Sequence, residues 1–542
     1  MHIRNCNSGL FCAAVAVSCV FLTGREFAQA PAFTIAPANP TIVVGQTQPF
    51  SVTGAAGPVN VSAGGEYTCV AISDGTARCA GRNQFGQLGD GSWTNQSSFV
   101  VPNGLASARR VVAGDEFACA LLADGTAMCW GLGEKGQRGD GTYTQIVLTP
   151  VAVQGLTNAV ALSAGYNHAC ALLGDRTMRC WGSNSDGQLG DPSSLGSATP
   201  IPVPGVSGVQ AIAVGAFHTC AVMADTTVQC WGDNGNGQLG DGTTTNSTTP
   251  VAVVGLSNVT AIAAGSSHTC ALVADGSLRC WGDNYEGQLG DGTGTPSATP
   301  VQVSGIGTAV EIVAGWTHSC ARLSDGRAQC WGEGTVGQLG NGATDNQVSP
   351  VTVSGIANAV GLSAGWWHHS CALVAGGGVF CWGGNDWGQF GDGTTAGSSV
   401  PVRAGGLDVT WTTSDSTVAS IGSTGIATGL NAGIVTITAT DMTGAAASTT
   451  LAVKVPRFTL TVSKGGLGNG LGTVSSSPDG ISCGTNCAAD YDAGTVVTLT
   501  ASPGPLLTSW TGCDTVSGNV CTVTMRSARS VTATFVGISN QP

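Results

Sequence analysis

Short apolar runs follow one another through the middle of the chain and are separated by glycine, aspartate and proline. Short runs bounded by turn-forming residues predict β-strands rather than helices. Between Cys119 and Trp130, the Ala-Asp-Gly at 123–125 suits a three-residue hairpin loop with its glycine in the left-handed conformation. Counting outward from the centre of this loop places Cys119 opposite Cys129 on paired strands.

This pattern repeats every 50 or 51 residues. Each unit reads Ala-Gly, a Cys at the fifth position after this Gly, nine residues, Cys-Trp-Gly, then Gly-Gln-Leu-Gly-Asp-Gly and a Pro-Val step, and seven units run from about Gly57 to Gly406. Four antiparallel strands fit each unit, and because such a sheet cannot bury both faces alone, seven are predicted to close into a ring. The departures are Ala80 in place of Trp, Arg138 in place of Leu, Asp191-Pro192 in place of Asp-Gly, and one extra residue before Cys371.

The spacing of the cysteines predicts one disulfide in each repeat, because the two cysteines lie ten residues apart on facing positions. Each bond would close a short loop and contribute about 2 to 3 kcal/mol. Of 21 cysteines, Cys6, Cys12 and Cys19 lie in the N-terminal segment, and the even remainder of 18 permits full pairing. The predicted repeat pairs are Cys69–Cys79, Cys119–Cys129, Cys170–Cys180, Cys220–Cys230, Cys270–Cys280, Cys320–Cys330 and Cys371–Cys381.

The Ala-Gly, Trp-Gly and Gly-Gln-Leu-Gly elements, found across about 350 residues, resemble the repeats of the regulator of chromosome condensation family of seven-bladed β-propellers. The best-known member of that family is an exchange factor for a nuclear small GTPase and docks on chromatin, and other members are interaction scaffolds. The resemblance implies a propeller, with guanine-nucleotide exchange as one implied function. An export signal, paired cysteines and an acidic composition argue against exchange.

The segments that flank the repeats resemble two parts of one bacterial Ig-like group 2 domain. Residues 33–54 carry its opening strands, and residues 409–439 carry the remainder. We therefore predict that the propeller is inserted into an Ig-like sandwich, which requires the two ends of the ring to lie close together. The alternative is a separate N-terminal tail followed by a truncated sandwich.

The segment from Phe458 to Phe535 alternates threonine, valine and small residues, and it resembles a small bacterial surface repeat module. Two local disulfides are predicted there, with a zinc site as the alternative, because uneven spacing and an exported context suit disulfides better. The four cysteines are Cys483, Cys487, Cys513 and Cys521.

The N-terminus has the features of a signal peptide: Arg4, an apolar run from Leu10 to Leu22, and small residues for cleavage at 28–30. We expect the mature chain to begin near Pro31 and to have no membrane span. Acylation at Cys19 and a retained anchor are alternatives, but the apolar run is shorter than the roughly 20 residues that a span needs.

These observations predict an all-β protein with a seven-bladed β-propeller, an Ig-like β-sandwich and a small C-terminal β module. The predicted division is a signal peptide at 1–30, the first part of the Ig-like domain at 31–56, the propeller at 57–406, the second part of the Ig-like domain at 407–456 and the disulfide-containing module at 457–542.

Charge excludes one class of partner. The chain has 32 acidic and 19 basic residues, a net charge of −13 and a pI of about 4.8. A nucleic-acid binder needs a basic face that releases counterions from phosphates, so nucleic acid is not an expected partner. Only 9% of the residues are charged and 83 are glycine, which suits tight turns between strands.

Motifs for catalysis or metal binding are weak. The recurring histidines could hold a metal on a common axis. However, Tyr67 and Phe117 take the same position in the first two repeats, so we interpret the histidines as packing residues that bond to the backbone of their own blade. The recurring tryptophans are interpreted as wedges between blades rather than a sugar-stacking array. The glycine-rich loops lack the ligand pattern of a calcium loop and the ending of a nucleotide loop. The histidines are His168, His218, His268, His318 and His369.

Positions that differ between repeats are better candidates for binding, because residues that maintain the fold must recur in every blade. Two variable pairs, one after Ala-Gly and one before Gly-Gln, fall in predicted loops, which lie on the rims of a propeller. Incidental packing under a loop is the alternative for each residue. The predicted patch, centred near the seventh blade, contains Tyr166, Tyr285, Trp316, Trp366, Trp367 and Trp387.

We therefore predict a monomeric, secreted or cell-surface scaffold for binding or adhesion, which presents a propeller rim to an extracellular protein or glycan. No enzymatic activity and no cofactor are predicted, since no nucleophile, base and orienting group come together in the sequence. Two alternatives stay open: guanine-nucleotide exchange on a small GTPase, and a lyase or glycosidase, which would need an acid pair converging at one rim.

Overall fold

The computed structural model describes residues 33–537, except 424, 468–469, 485 and 504–505, so the predicted signal peptide lies outside the described residues. These residues form 45 β-strands and contain no α-helix, which confirms the all-β class. They divide into two compact units, one of residues 56–408 with 441–443 and the other of residues 33–55, 409–440 and 444–537. Over the described range, no helix offers the length and apolar character that crossing a membrane requires.

The repeats form seven antiparallel sheets of four strands, which we name blades 1 to 7. Each blade uses four consecutive strands, named a to d in chain order. The strands before the repeats are β1 Thr34–Ala36, β2 Thr41–Val43, β3 Thr47–Pro49 and β4 Ser51–Thr53. The blade strands are β5 Pro58–Ala63, β6 Tyr67–Ile72, β7 Ala77–Gly81 and β8 Gln96–Val100 in blade 1; β9 Ala108–Ala113, β10 Phe117–Leu122, β11 Ala127–Leu132 and β12 Ile146–Ala152 in blade 2; β13 Ala159–Ala164, β14 His168–Leu173, β15 Met178–Gly182 and β16 Ser197–Pro202 in blade 3; β17 Val209–Val214, β18 His218–Met223, β19 Val228–Gly232 and β20 Ser247–Ala252 in blade 4; β21 Val259–Ala264, β22 His268–Val273, β23 Leu278–Gly282 and β24 Ser297–Gln302 in blade 5; β25 Ala309–Ala314, β26 His318–Leu323, β27 Ala328–Gly332 and β28 Gln347–Thr352 in blade 6; and β29 Ala359–Ala364, β30 His369–Val374, β31 Val379–Gly383 and β32 Ser398–Arg403 in blade 7.

The b–c hairpin of each blade carries a disulfide. In blade 2 the Leu122 N–H donates to the Thr126 carbonyl at 2.9 Å and Gly125 has a φ of 81°, so the loop has the predicted three residues. This register places Cys119 opposite Cys129, and the paired cysteines of every blade face each other in the same way. Seven cross-strand disulfides form, with Cα atoms 4.0 to 4.1 Å apart.

The a strands stand side by side around a central channel, and each contacts the a strands of both neighbouring blades. The ring closes where β29 of blade 7 lies against β5 of blade 1. At this point the Ala63 N–H donates to Ser363 Oγ at 2.8 Å. Every blade consists of consecutive strands, so the ring closes by side-to-side packing without exchange of a strand between its ends.

A buried tryptophan fills each of the six joints from blade 1 to blade 7. The tryptophan belongs to the later blade, is fully buried, and donates its Nε1–H to a glutamine backbone carbonyl of the preceding blade at 2.8 to 3.1 Å. This arrangement confirms the interpretation as wedges between blades. The pairs are Trp130 with Gln87, Trp181 with Gln137, Trp231 with Gln188, Trp281 with Gln238, Trp331 with Gln288 and Trp382 with Gln338.

The recurring histidines link neighbouring blades through strand b. His268 Nε2 lies 2.9 Å from Ser319 Oγ of the next blade, and this hydroxyl donates to the Gln288 carbonyl at 3.1 Å. Because the hydroxyl proton is used there, Nε2 must carry the imidazole proton and donate it to Oγ. The pairs, at 2.8 to 3.0 Å, are His168 with Thr219, His218 with Thr269, His268 with Ser319, His318 with Ser370 and His369 with Thr68.

The prediction that each imidazole bonds to the backbone of its own blade was wrong, because the rings point across the joint. The glycine of the Ala-Gly motif makes room for them: a Cβ on Gly265 would lie 2.3 Å from the His268 ring and 2.5 Å from the Gly315 carbonyl oxygen. Burial lowers the pKa of all five histidines, to about 3 in His168, His268 and His369 and to about 4 in the others. They are therefore neutral at ordinary pH.

The joint between blades 7 and 1 is built differently. Ala80 stands where the other joints have tryptophan, and Phe390 of blade 7 replaces the leucine of Gly-Gln-Leu-Gly. Phe99, on strand d of blade 1, takes up the space: a Cβ on Gly391 would lie 2.2 Å from its ring, whereas the equivalent glycines of the other blades contact a tryptophan. The closing joint keeps the histidine link through Thr68 and contains no tryptophan among its described core residues.

The Ig-like sandwich takes strands from both sides of the repeats. Strand β2 pairs in parallel with β37 and β3 pairs with β35. One sheet has the order β2-β37-β36-β33 and the other β3-β35-β34, around a core that includes Ile42, Phe50, Val435 and Leu451. The later strands are β33 Thr410–Thr413, β34 Ala419–Ile421, β35 Ile426–Gly429, β36 Gly433–Thr440 and β37 Ala446–Lys454.

The C-terminal module packs two four-stranded sheets, β40-β38-β45-β42 and β39-β41-β44-β43, around an apolar core. Disulfides join Cys483 to Cys487 and Cys513 to Cys521, which leaves no thiolate among these four cysteines for zinc. The strands are β38 Arg457–Gly465, β39 Thr473–Ser477, β40 Ala488–Asp492, β41 Val496–Ser502, β42 Leu507–Thr511, β43 Thr515–Ser517, β44 Val520–Thr524 and β45 Arg529–Phe535.

Candidate binding surface

One rim of the ring carries both variable sequence pairs. Antiparallel strands place the a–b and c–d loops at one edge of every blade, and the b–c hairpins at the other. We call the edge with the a–b and c–d loops the front rim. In blade 1 its two loops contact each other, since Arg82 of the c–d loop forms an ion pair with Glu66 of the a–b loop at 3.0 Å.

Five aromatic side chains from four blades meet where the a–b loops surround the ring axis. We call Tyr166, Phe217, Trp316, Trp366 and Trp367 the aromatic mouth. The rings of Trp316 and Trp367 are stacked, with centroids 5.2 Å apart and planes within 5°. Tyr166 lies 5.8 Å from Trp316 and 5.6 Å from Phe217. These contacts bring together residues of blades 3, 4, 6 and 7, which are far apart in sequence.

Backbone hydrogen bonds fix the loops that carry the mouth. At the end of strand a, an N–H of one blade donates to a carbonyl of the next, as in Trp316 to Gly365 at 3.2 Å and Ser266 to Trp316 at 3.2 Å. Trp366 donates to Gly64 at 3.1 Å and so continues this pattern across the closing joint. Loops held by neighbours on both sides present their side chains in a defined arrangement, which lowers the ordering cost of binding.

Trp366 does not belong to the exposed part of the predicted patch. Only 6% of its surface is exposed, its Nε1–H points at the Ala113 carbonyl 3.4 Å away, and its side chain lines the central channel. The sequence prediction of Trp366 as a rim contact is therefore corrected: the first position after Ala-Gly in blade 7 points inward. Trp316, Trp367 and Tyr166 are partly exposed.

Blades 1 and 2 complete the mouth with carboxylates, which we call the acidic arc: Glu66, Asp115 and Glu116. Trp367 Nε1–H donates to Asp115 Oδ1 at 2.7 Å and so joins the aromatic residues to the arc. Asp115 is only 4% exposed. Burial and the neighbouring Glu116 raise its pKa to about 7, although the Trp367 hydrogen bond and Arg82 act in the opposite direction.

Sequence reasoning missed the acidic arc. Asp115 and Glu116 occupy the same two positions after Ala-Gly as Trp366 and Trp367, so alignment of the repeats offered a signal. Alignment of the repeats could not show that Trp367 and Asp115 are in contact, because these two hydrogen-bonded residues are 252 residues apart in the sequence.

The two remaining residues of the predicted patch lie elsewhere on the front rim. Trp387 is next to the acidic arc, where the Arg82 guanidinium lies 5.4 Å from its ring centroid and 5.2 Å from that of Phe85. Tyr285 is 74% exposed in the c–d loop of blade 5, and it takes no part in the ring contacts of the mouth. The structure thus brings Tyr166, Trp316 and Trp367 together and separates Tyr285 from them.

The central channel has a volume of about 800 Å³ and is lined mainly by the a strands. Arg110 and Glu311 are among its polar residues, and Glu311 forms an ion pair with Arg322 at 2.8 Å. In the part of the chain that the structure describes, no group of three histidine, cysteine, aspartate or glutamate side chains is placed to hold a metal ion.

Comparison with protein families finds three matches. The model of the RCC1-like domain matches residues 37–368, more than half of the chain. The bacterial Ig-like domain (group 2) matches residues 399–451, and the divergent InlB B-repeat domain matches residues 472–539. These matches confirm the predicted resemblances to propeller repeats, an Ig-like domain and a surface repeat module. They support a binding scaffold. None of the curated proteins matches the chain.

Solved structures similar to this chain include three with TM-scores above 0.5. Prp20p from Saccharomyces cerevisiae, described with its binding to Gsp1p and histones, is 24% identical over 56% of this chain and 80% of that chain, with a TM-score of 0.51. Yeast RCC1 (Prp20) bound to Kap60 is 23% identical over 60% and 82%, with a TM-score of 0.55. Human WBSCR16 is 23% identical over 58% and 86%, with a TM-score of 0.53. At these identities the likeness shows the fold alone.

Proposed function

The chain belongs to the RCC1-like domain family, and from this premise we propose that it is a binding scaffold that acts outside the cytoplasm and recognises its partner with the front rim. The observation that carries the proposal is the aromatic mouth. Partly exposed tryptophan and tyrosine are the side chains that most often dominate binding energy at interfaces. Here they are held by loops whose sequences differ from blade to blade, while six of the seven joints keep the same tryptophan.

Three features support a location outside the cytoplasm. Nine disulfides form between the described cysteines, and a reducing cytosol does not favour such bonds. The Ig-like and InlB B-repeat matches are typical of extracellular bacterial proteins. The N-terminal segment has the composition of a signal peptide.

Guanine-nucleotide exchange is not favoured. Exchange on a cytosolic or nuclear GTPase requires a protein that works in a reducing compartment, whereas every blade of this chain contains a disulfide. The similarity to Prp20p lies at an identity that shows the fold alone.

The first test concerns location. We would measure the intact mass of the natively expressed protein, with and without reduction, in cytosolic and extracytosolic fractions. We expect a chain that starts near Pro31, outside the cytosol, and that is lighter by eighteen hydrogens than its reduced form. A cytosolic chain with free thiols would contradict the proposal and make nucleotide exchange the favoured function.

The second test concerns the rim. Fluorescently labelled full-length protein would be titrated onto cells of its source, together with the double variant Trp316→Ala/Trp367→Ala and the control Trp93→Ala. Trp93 is an exposed tryptophan of a c–d loop outside the mouth, 54% exposed. We expect the double variant to bind at least about ten-fold more weakly and the control to bind like the unchanged protein. Equal binding by all three would refute a role for the mouth.

A further inference from the structure

We propose that the aromatic mouth binds an arginine side chain of a partner protein, with the guanidinium placed between the exposed indole rings and the acidic arc. This inference rests on the proposed function and adds the chemistry of the partner. It follows from three observations: the exposed aromatic faces, the charge around them, and an arginine of the chain itself that is already bound in the same manner.

The aromatic half offers flat faces to a planar group. Trp316 and Trp367 are stacked in nearly parallel planes and both are partly exposed, so part of each indole surface is accessible to a partner. A guanidinium stacks on an indole face through cation–π attraction and is more weakly hydrated than an ammonium group, which makes arginine the better match.

The acidic half supplies the complementary charge. Glu66, Asp115 and Glu116 face a single guanidinium, that of Arg82, which lies 3.0 Å from Glu66 and 3.8 Å from Glu116. The arc therefore holds more carboxylates than cations. Asp115 is buried next to other carboxylates, and its hydrogen bond from Trp367 comes from a neutral donor. A bound cation would favour the ionised form of Asp115, and that stabilisation would contribute to binding.

Arg82 shows that this rim can hold a guanidinium. Its charged group lies over the rings of Phe85 and Trp387, with centroid distances of 5.2 and 5.4 Å, while it forms an ion pair with Glu66. Trp316, Trp367 and Asp115 likewise place two aromatic rings beside a carboxylate, although here the two rings stack on each other and His368 lies 6.1 Å from Trp367. A partner's arginine would repeat there the arrangement of Arg82.

The test compares an arginine-containing pentapeptide with its citrulline analogue, which has the same planar shape and no charge. Binding to the full-length oxidised protein would be followed by calorimetry and by the indole N–H signals in NMR spectra. We expect the citrulline peptide to bind at least about ten-fold more weakly, and higher salt to weaken only the arginine peptide. Equal affinity for the two peptides would overturn the proposal.

Variants locate the site. Glu116→Gln removes a charge and Asp115→Asn removes the charge that a bound cation would favour, both with little change in shape, and each should weaken arginine binding about five-fold and leave citrulline unchanged. The matched control is Asp275→Asn, which removes one charge at a b–c hairpin on the opposite rim. If Asp115→Asn fails to fold, the half-buried Glu116 gives an independent measurement. An equal loss in the control would show general attraction to an acidic protein and would also overturn the proposal.

A neutral glycan is the competing partner. If cell binding depends on Trp316 and Trp367 but the arginine peptide does not bind, the arginine inference fails while the rim remains the binding surface. If neither the cell binding nor the peptide binding depends on the mouth, both the proposed function and this inference fail. The two failures are therefore distinguishable.

Discussion

The tryptophans of the joints and the tryptophans of the aromatic mouth have different surroundings. Each joint tryptophan is fully buried between two blades, and its Nε1–H donates to a backbone carbonyl. Trp316 and Trp367 are partly exposed and stack on each other, and the Nε1–H of Trp367 donates to a carboxylate. The joint residues recur in six repeats, whereas the mouth residues each occur at positions that differ between repeats.

Repeats within one chain thus separate residues needed for stability from residues available for binding. A residue that recurs with the same partner in each repeat packs that repeat against its neighbour. A residue of the same type at a position that varies between repeats is not required for this packing and is available for binding. Substitutions in the joints should therefore change stability, and substitutions in the mouth should change binding.

The largest effect is expected at a joint. Replacing Trp231 with alanine removes a fully buried indole and its hydrogen bond to Gln188, and should lower the free energy of unfolding by about 3 to 5 kcal/mol. Trp316→Ala, at a partly exposed site, should cost about 1 kcal/mol. Urea unfolding of the oxidised protein, followed by circular dichroism, measures both. Equal losses of unfolding free energy in the two variants would show that the mouth tryptophan is as important for stability as the joint tryptophan.

The histidine links should make the joints sensitive to acid. Burial lowers the folded-state pKa of His268 to about 3, while the unfolded chain has its ordinary value near 6.5. Below pH 6.5 the unfolded state therefore binds more protons than the folded state. The contribution of the neutral histidine to the free energy of unfolding is full above that pH and is lost as the pH falls towards 3. Between pH 7 and pH 5 the loss from one such histidine is about 2 kcal/mol.

Between pH 7 and pH 5 we expect the free energy of unfolding of His268→Gln to fall by about 2 kcal/mol less than that of the unchanged protein. Urea unfolding at both pH values measures this difference. Asp115 acts in the opposite direction, because its raised pKa makes the folded state gain stability as the pH falls, but it is common to both proteins and cancels in the comparison. A variant that is as sensitive to acid as the unchanged protein would show that His268 is not neutral in the joint.

An effect similar in size to that of one histidine should appear at the closing joint, which breaks the pattern of the other six. Ala80→Trp introduces the usual wedge where Phe99 and Phe390 already fill the space, so it should cost about 2 kcal/mol through overpacking. Phe99→Ala should cost a similar amount, since its ring is only partly buried. The double variant should recover part of the loss, because the new indole fills the space left by Phe99. Strict additivity in unfolding experiments would show that the two positions do not share this space.

The sequence was sufficient wherever a feature depends on neighbours within one repeat. The cysteine register follows from counting outward from the 123–125 loop, and the wedge role of the tryptophans follows from their recurrence. The family and the all-β class follow from the same repetition. These features are local, so a spacing in the sequence determines a distance in space.

The sequence was not sufficient where a contact crosses the ring. The contact of Tyr166 with Trp316 and the bond from Trp367 to Asp115 depend on the arrangement of the blades around one axis. The inward turn of Trp366 has the same origin, because its environment is the channel. The partner of His268 was missed for a related reason: a hydroxyl 51 residues away became its nearest polar group only when the next blade was in place.

The pairing of β2 with β37 has a consequence for the order of assembly. Their paired residues, such as Thr41 and Ala452, are separated by the whole propeller, so β2 has no partner until the chain has been made beyond the last repeat. At synthesis rates of about 5 to 20 residues per second this wait is on the order of 20 to 80 seconds. The two cysteines of each blade are ten residues apart, so each hairpin disulfide depends on its own repeat and not on β37. The Ig-like sandwich can therefore form only in chains that have been completed through β37. In shorter chains the backbone N–H and carbonyl groups that β2 uses to pair with β37 have no partner strand.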